Sequence, residues 1–269
     1  QGVDSLQISF TNDLTSGVLY SVTVADVQDC SGNVITSTTK DFGIGETPGP
    51  DDLLITEIMA DPSPSQGLPE EEFIEIYNNS GNLLDLEGVI LSDPGTSSTF
   101  GSQLLTAGSY LILTATANVS DFESFGSTLG LSSFPSLGNT EDSLSLSLAD
   151  GTTLDVVEYE NWYRDAVKDD GGYTLELISF TDKCVDELNW IASADANGGT
   201  PGAENSVLDQ NFDSTAPILS SVTITDTNEI TLKFDEPLDS TLLVTATYTF
   251  TNSLVIDEIT ATSQGVDSL

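Results

Sequence analysis

Alternation of polar and apolar residues recurs from one end of this chain to the other. It runs through Ser5-Leu6-Gln7-Ile8-Ser9-Phe10, Ser143-Leu144-Ser145-Leu146-Ser147-Leu148, Leu219-Ser220-Ser221-Val222-Thr223-Ile224-Thr225 and Glu229-Ile230-Thr231-Leu232-Lys233-Phe234. Glu72-Phe73-Ile74-Glu75-Ile76-Tyr77 follows it less strictly. A period of two sends one face of an extended segment into a core and the other into water, which is what an antiparallel sandwich requires. The wet positions are filled by serine and threonine, 33 and 32 residues of the 269. Clusters of Gly, Asn, Asp and Pro punctuate the runs. Only Val119 to Phe125 reads as a short helix, with Ser120 as its cap. The expected fold class is all-β.

A second pattern concerns organisation. Gln1-Gly2-Val3-Asp4-Ser5-Leu6 recurs as Gln264-Gly265-Val266-Asp267-Ser268-Leu269, a spacing of 263 residues. We read this as a tandem period. Turn-rich stretches divide the period into blocks at 1–46, 53–208 and 214–269, with linkers at 47–52 and 209–213. The middle block has the size of a domain. Each flank is too short to close a sandwich, but joined across the repeat seam they total roughly 100 residues, the length of an immunoglobulin-like domain.

Charge then excludes whole classes of function. There are 44 acidic and 5 basic residues, a net charge of −39, and no histidine. Nucleic acids and anionic lipids bind through Lys and Arg, so neither is an expected partner. Without histidine, imidazole bases, Ser-His-Asp and Cys-His pairs, and nearly all transition-metal sites are gone. Paired carboxylates such as Glu57 with Glu75, or Glu70-Glu71-Glu72, are expected anywhere in so acidic a chain and do not make a glycosidase. No enzyme activity, and hence no catalytic residue, is expected. No run reaches the ~18 apolar residues of a membrane span, and no signal peptide opens the sequence.

Particular phrases resemble known families. Leu54-Ile55-Thr56-Glu57-Ile58-Met59, Glu72 to Asn78, Leu86 to Asp93, Gly172-Tyr173-Thr174-Leu175-Glu176-Leu177-Ile178 and Gly198-Gly199-Thr200-Pro201-Gly202 occur in the order that resembles the bacterial lamin-tail domain. Asp213 to Ile218 with Ile230 to Asp239 resembles the opening of the SbsA-type Ig-like domain, and Tyr20 to Asn33 its closing segment. The resemblance implies Ig-like sandwiches: a lamin-tail domain flanked by two Ig-like halves. The combination is similar to giant surface proteins of Bacteroidota exported by the type IX route. That implies an extracellular, cell-surface location and a structural repeat of a filament or stalk serving adhesion, gliding or capture of other cells. Copies in tandem, associating laterally in a fibre, are the expected partners.

Several residues are candidates for finer roles. Two cysteines in a secreted setting suggest a disulfide between Cys30 and Cys184, against unpaired thiols or pairing between chains. No organic cofactor is expected. The acidic clusters offer oxygen ligands for calcium, with Asp51, Asp52, Asp209 and Asp213 in the linkers as candidates and Asp169-Asp170 and Asp182 with Asp186 as rivals. The composition favours the alternative, a solvated acidic surface that keeps a polymer soluble. Tyr159, Trp162, Tyr163 and Tyr173 offer sugar-stacking rings in a carbohydrate-binding module, or ordinary core. Ser5, Ser143, Ser214 and Ser240 lie in triplets that resemble the O-glycosylation sequon of Bacteroidota.

Overall fold

The computed structural model describes residues 3–163, 165–180, 189–208, 216–235, 238, 243–252 and 254–260. Two compact units emerge, one carried by the described residues up to 208 and the other by those from 216 onward. Among the described residues no helix is long and apolar enough to cross a membrane.

The larger unit begins with an antiparallel hairpin, β1 (Leu19–Val24) and β2 (Thr38–Gly43). There follow β3 (Leu53–Met59), β4 (Phe73–Asn78), β5 (Leu84–Asp85), β6 (Val89–Ser92), β7 (Ser97–Thr99), β8 (Leu104–Leu105) and β9 (Tyr110–Ala115). After a 3-10 turn, Thr116–Asn118, come α1 (Val119–Phe122), β10 (Thr128–Leu131), β11 (Asp142–Leu148), β12 (Thr153–Tyr159), β13 (Leu175–Leu177) and β14 (Trp190–Ala192). One sheet has six strands in the order β10-β9-β4-β3-β13-β14, the other four in the order β12-β11-β6-β7. Every pairing is antiparallel except β10 with β9. This is an Ig-like, all-β sandwich, as the alternation requires.

Its core lies between the sheets. Ile55, Ile74, Ile76, Leu111, Leu113 and Leu175 face Val89, Leu91, Leu144, Leu146, Val157 and Tyr159, all buried. A bulge between Ile55 and Glu57 is essential to β3, because Leu53 and Ile55 are an odd number of residues from Ile58. The extra residue, Thr56, restores Ile58 to the core face and sends Glu57 and Met59 to the opposite one.

That opposite face departs from the expected pattern. Alternation assigns it to water, yet all seven residues of β3 are buried, and so are Phe73, Glu75, Ile112 and Glu176. The loop after β3 and helix α1 cover it, gathering Met59, Leu68, Phe73, Ile112 and Phe122 into a second apolar cluster. The helix is shorter than Val119 to Phe125, and its cap position is Asn118 rather than Ser120. Asn118 makes no side-chain cap bond, and its amide nitrogen donates to Glu71 Oε2 at 2.6 Å.

The 47–52 stretch, read from sequence as a linker, is built into the sandwich. Glu46 accepts from Asp85 N–H and donates its own N–H to Leu83, Asp51 N–H donates to Leu154, and Pro48 is buried. Residues 5–10, expected as a strand, form none, and Leu6, Ile8 and Phe10 are exposed. The smaller unit contains the antiparallel hairpin β15 (Leu219–Asp226) and β16 (Glu229–Phe234), in which every residue of β15 is exposed.

Candidate functional site: a buried row of carboxyl groups

The outer face of the six-stranded sheet carries the most unusual chemistry of the molecule. Register places Glu57 of β3 directly opposite Glu75 of β4 on one side and Glu176 of β13 on the other. Three glutamates thus stand side by side on adjacent strands, and all three are buried. Like charges directly opposed across strands repel, and an enclosed carboxylate loses its hydration, so this row cannot be fully ionised.

A glycine-rich strap closes over the row. Thr200 N–H and Thr174 Oγ1 each donate to Glu57 Oε1 at 2.7 Å. Thr200 Oγ1 donates to Glu176 Oε1 at 3.0 Å, and Ser206 Oγ to Glu176 Oε2 at 2.7 Å. Gly202 N–H donates to Glu75 Oε2, while Thr56 Oγ1 donates to Oε1 at 3.1 Å. Asn205 fixes the far end by donating to the Thr56 and Leu177 carbonyls, 2.8 Å each. Glycine is required where the strap comes closest: a Cβ on Gly199 would sit 2.6 Å from Glu57 Oε1. Gly202 turns the strap at φ +81°, and a Cβ there would meet Phe125 O at 2.3 Å.

The protonation states follow from this enclosure. Burial raises the Glu57 carboxyl well above the ordinary range, with Glu75 and Glu176 adding repulsion. Burial likewise pushes Glu75 up to about 8, against the lowering effect of the Gly202 and Thr56 hydrogen bonds. Among the described residues Glu57 Oε2 is enclosed without a hydrogen-bond partner, so the neutral acid suits it better than the carboxylate. The row is a proton-holding clasp between sheet and strap. Its carboxyls are roofed by the chain's own backbone, leaving no face on which a sugar or a water nucleophile could be placed between two of them.

The other acidic candidates lie elsewhere. Glu70, Glu71 and Glu72 line a cavity of about 240 Å³ with Asp61 and Asn118. Glu72 accepts from Leu137 N–H at 3.4 Å, and burial raises its carboxyl. Asp52 accepts from Gly49 N–H at 2.7 Å, while Asp51 sits at φ +67° and its carbonyl accepts from Asn79. Asp169 accepts from Asn161 at 3.0 Å. Among the described residues, no group of three or more Asp, Glu, Cys or His is arranged to hold a metal ion. Asp209 and Asp213 lie outside the described residues, as do Asp182, Asp186, Cys184, Ser214, Ser240 and the second hexapeptide. Cys30 is exposed, carries no disulfide among the described residues and follows Asp29, whose carboxylate accepts from Ser31 and Asn33 at 2.8 Å. Ser5 is exposed, and Ser143 is half-buried in β11.

The aromatic candidates are core rather than surface. Trp162 is 8% and Tyr163 4% exposed. Tyr159 is buried and donates to Gly138 O at 2.8 Å, and Tyr173 packs against the core with Lys168 Nζ 5.3 Å from its ring centre.

Sequence reasoning named Glu57 and Glu75 only as one carboxylate pair among many, and it missed Glu176 and the role of the strap. A combined signal was available: a glutamate in each of three apolar strand phrases, together with one Gly-Gly-Thr-Pro-Gly phrase.

Comparison with known proteins agrees with this architecture for part of the chain. Residues 46–161 match the family model of the Lamin Tail Domain. Neither a curated protein nor a solved structure was found to match. The family match ends before β13 and the strap, which complete the sandwich and roof the carboxyl row.

Proposed function

We propose that this chain is a non-catalytic structural unit, one repeat of an extracellular filament or stalk on a bacterial surface that serves adhesion, gliding or capture of other cells. The observation that carries the reading is the inward use of the carboxyl row and of the aromatic pair that a catalytic or sugar-binding module would present. The carboxyl row is roofed by the strap, and Trp162 and Tyr163 lie in the core. The Lamin Tail Domain match and the 263-residue recurrence of the hexapeptide support a modular, load-bearing part over a solitary receptor. The net charge of −39 fits a polymer kept soluble in a salt-screened exterior.

Gold-labelled antibody against this chain, applied to intact cells, tests the reading. We expect label at regular spacing along surface filaments. A single label at a filament tip, or none outside the cell, would contradict it. Filament mass per unit length then counts the strands: the multiple of one 263-residue repeat per repeat rise gives the number of chains in the fibre.

A further inference from the structure

The hairpin β15–β16 is built for a core that it does not cover. Its register pairs Leu219 with Phe234, Val222 with Leu232 and Ile224 with Ile230. Leu219 and Val222 are three residues apart and would ordinarily point to opposite faces. A register shift between Leu219 and Ser221 returns Leu219 to the side of Val222 and Ile224, so all six apolar residues share one face. Ser221 with Lys233, and Thr223 with Thr231, occupy the other. On the apolar face Val222 is 56% and Ile224 77% exposed. Alternation this strict, repaired by a bulge, specifies a face meant for burial.

The hairpin β1–β2 poses the same problem. Tyr20, Val22, Val24 and Phe42 share a face, interrupted only by Lys40 and Thr38. Phe10 stacks on Phe42 at 6.4 Å and Tyr20 on Phe42 at 5.7 Å, yet Phe10 and Val22 remain exposed. Leu6 and Ile8, in the alternating run just before Phe10, are also exposed, and that run pairs with no strand. Two-stranded hairpins are marginal alone and gain independent stability from further strands and a covered face.

We infer that these two apolar faces belong to one β-sandwich, completed between successive copies of this chain: β15–β16 of one copy covers β1–β2 and residues 6–10 of the next. The inference rests on the proposal that the chain repeats in tandem. A second copy is the fitting occupant because the hexapeptide recurrence sets residues 214–263 directly before residues 1–46 of the following repeat. In such an array the two faces are held on one continuous chain at high effective concentration. Between separate chains the same contact is head-to-tail and propagates as an open filament.

The test uses the full chain and a circular permutant of it, in which residues 209–263 precede 1–208. In moderate salt, sedimentation of the full chain is expected to show concentration-dependent head-to-tail oligomers, and the permutant a monomer. Amides of 219–234 in the permutant are expected to exchange at least about a hundredfold more slowly than in the dilute full chain. Ile224→Asp, at an exposed position, is expected to abolish oligomers of the full chain while leaving its melting temperature unchanged. Retention of oligomers by that variant, a monomeric full chain at every concentration, or equally fast exchange in both forms would overturn the inference. A protected permutant alongside native filaments that lack this chain would instead refute the filament reading and leave the pairing intact.

Discussion

Strand β4 and strand β15 follow the same period of two and end in opposite environments. In β4 the core side carries Ile74 and Ile76, and the other side Phe73 and Glu75, all buried. In β15 the apolar side carries Leu219, Val222 and Ile224, all exposed. The difference is the presence of a neighbouring layer. The central sandwich brings a second sheet to one face and a loop, a helix and a strap to the other, while among the described residues the hairpin has neither. A period of two therefore specifies which residues share a face and leaves open what covers it.

Truncation should break the comparison most sharply. Trp190→Ala or Phe73→Ala removes a fully buried ring and is expected to cost about 3–5 kcal/mol in urea denaturation. Ile224→Ala in the dilute full chain is expected to stay within about 0.5 kcal/mol.

A smaller effect comes from the strap. Gly199→Ala places a methyl group 2.6 Å from Glu57 Oε1 and forces strap and sheet apart. The expected cost is about 1–3 kcal/mol, with the same substitution at exposed, unobstructed Gly101 as control.

Protonation gives a subtler test. Glu57 and Glu75 have folded-state pKa values raised above the unfolded ones, so their contribution to stability is fully present below the ordinary carboxyl range. For Glu75 it is lost as pH climbs from about 4.5 toward about 8. Exposed carboxylates are already ionised through the upper part of that window, so a fall in stability between about pH 6 and 8.5 belongs to the buried row. Denaturation midpoints should decline over that interval, and Glu75→Gln, which keeps the shape and removes the titration, should flatten the decline. An unchanged slope in Glu75→Gln would remove Glu75 from the account.

The fold class was legible because alternation, turn residues and the few helix formers agreed with one another. The carboxyl row was not, and the reason is physical. Glu75 between Ile74 and Ile76 has the pattern of a half-exposed strand. Its burial depends on Gly202, 127 residues away, whose N–H reaches its carboxyl only after the sandwich has closed. The bulge at Thr56 was equally hidden, since an inserted residue is visible only against its partner strand. Trp162 and Tyr163 could be read either as stacking platforms or as core, and packing resolved them as core.

Hydrogen exchange followed by mass spectrometry across a dilution series bears most directly on the central claim, that the sandwich is complete in itself and the flanking hairpin is not. At the lowest concentration, amides of β3, β4 and β13 should exchange only through global unfolding, while those of β15 and β16 exchange through local opening. With rising concentration the amides of β15–β16 and of β1–β2 should gain protection, and those of β3, β4 and β13 should not change. Protection of β15 and β16 equal to that of β3 and β4 at the lowest concentration, unchanged on concentrating, would contradict the account.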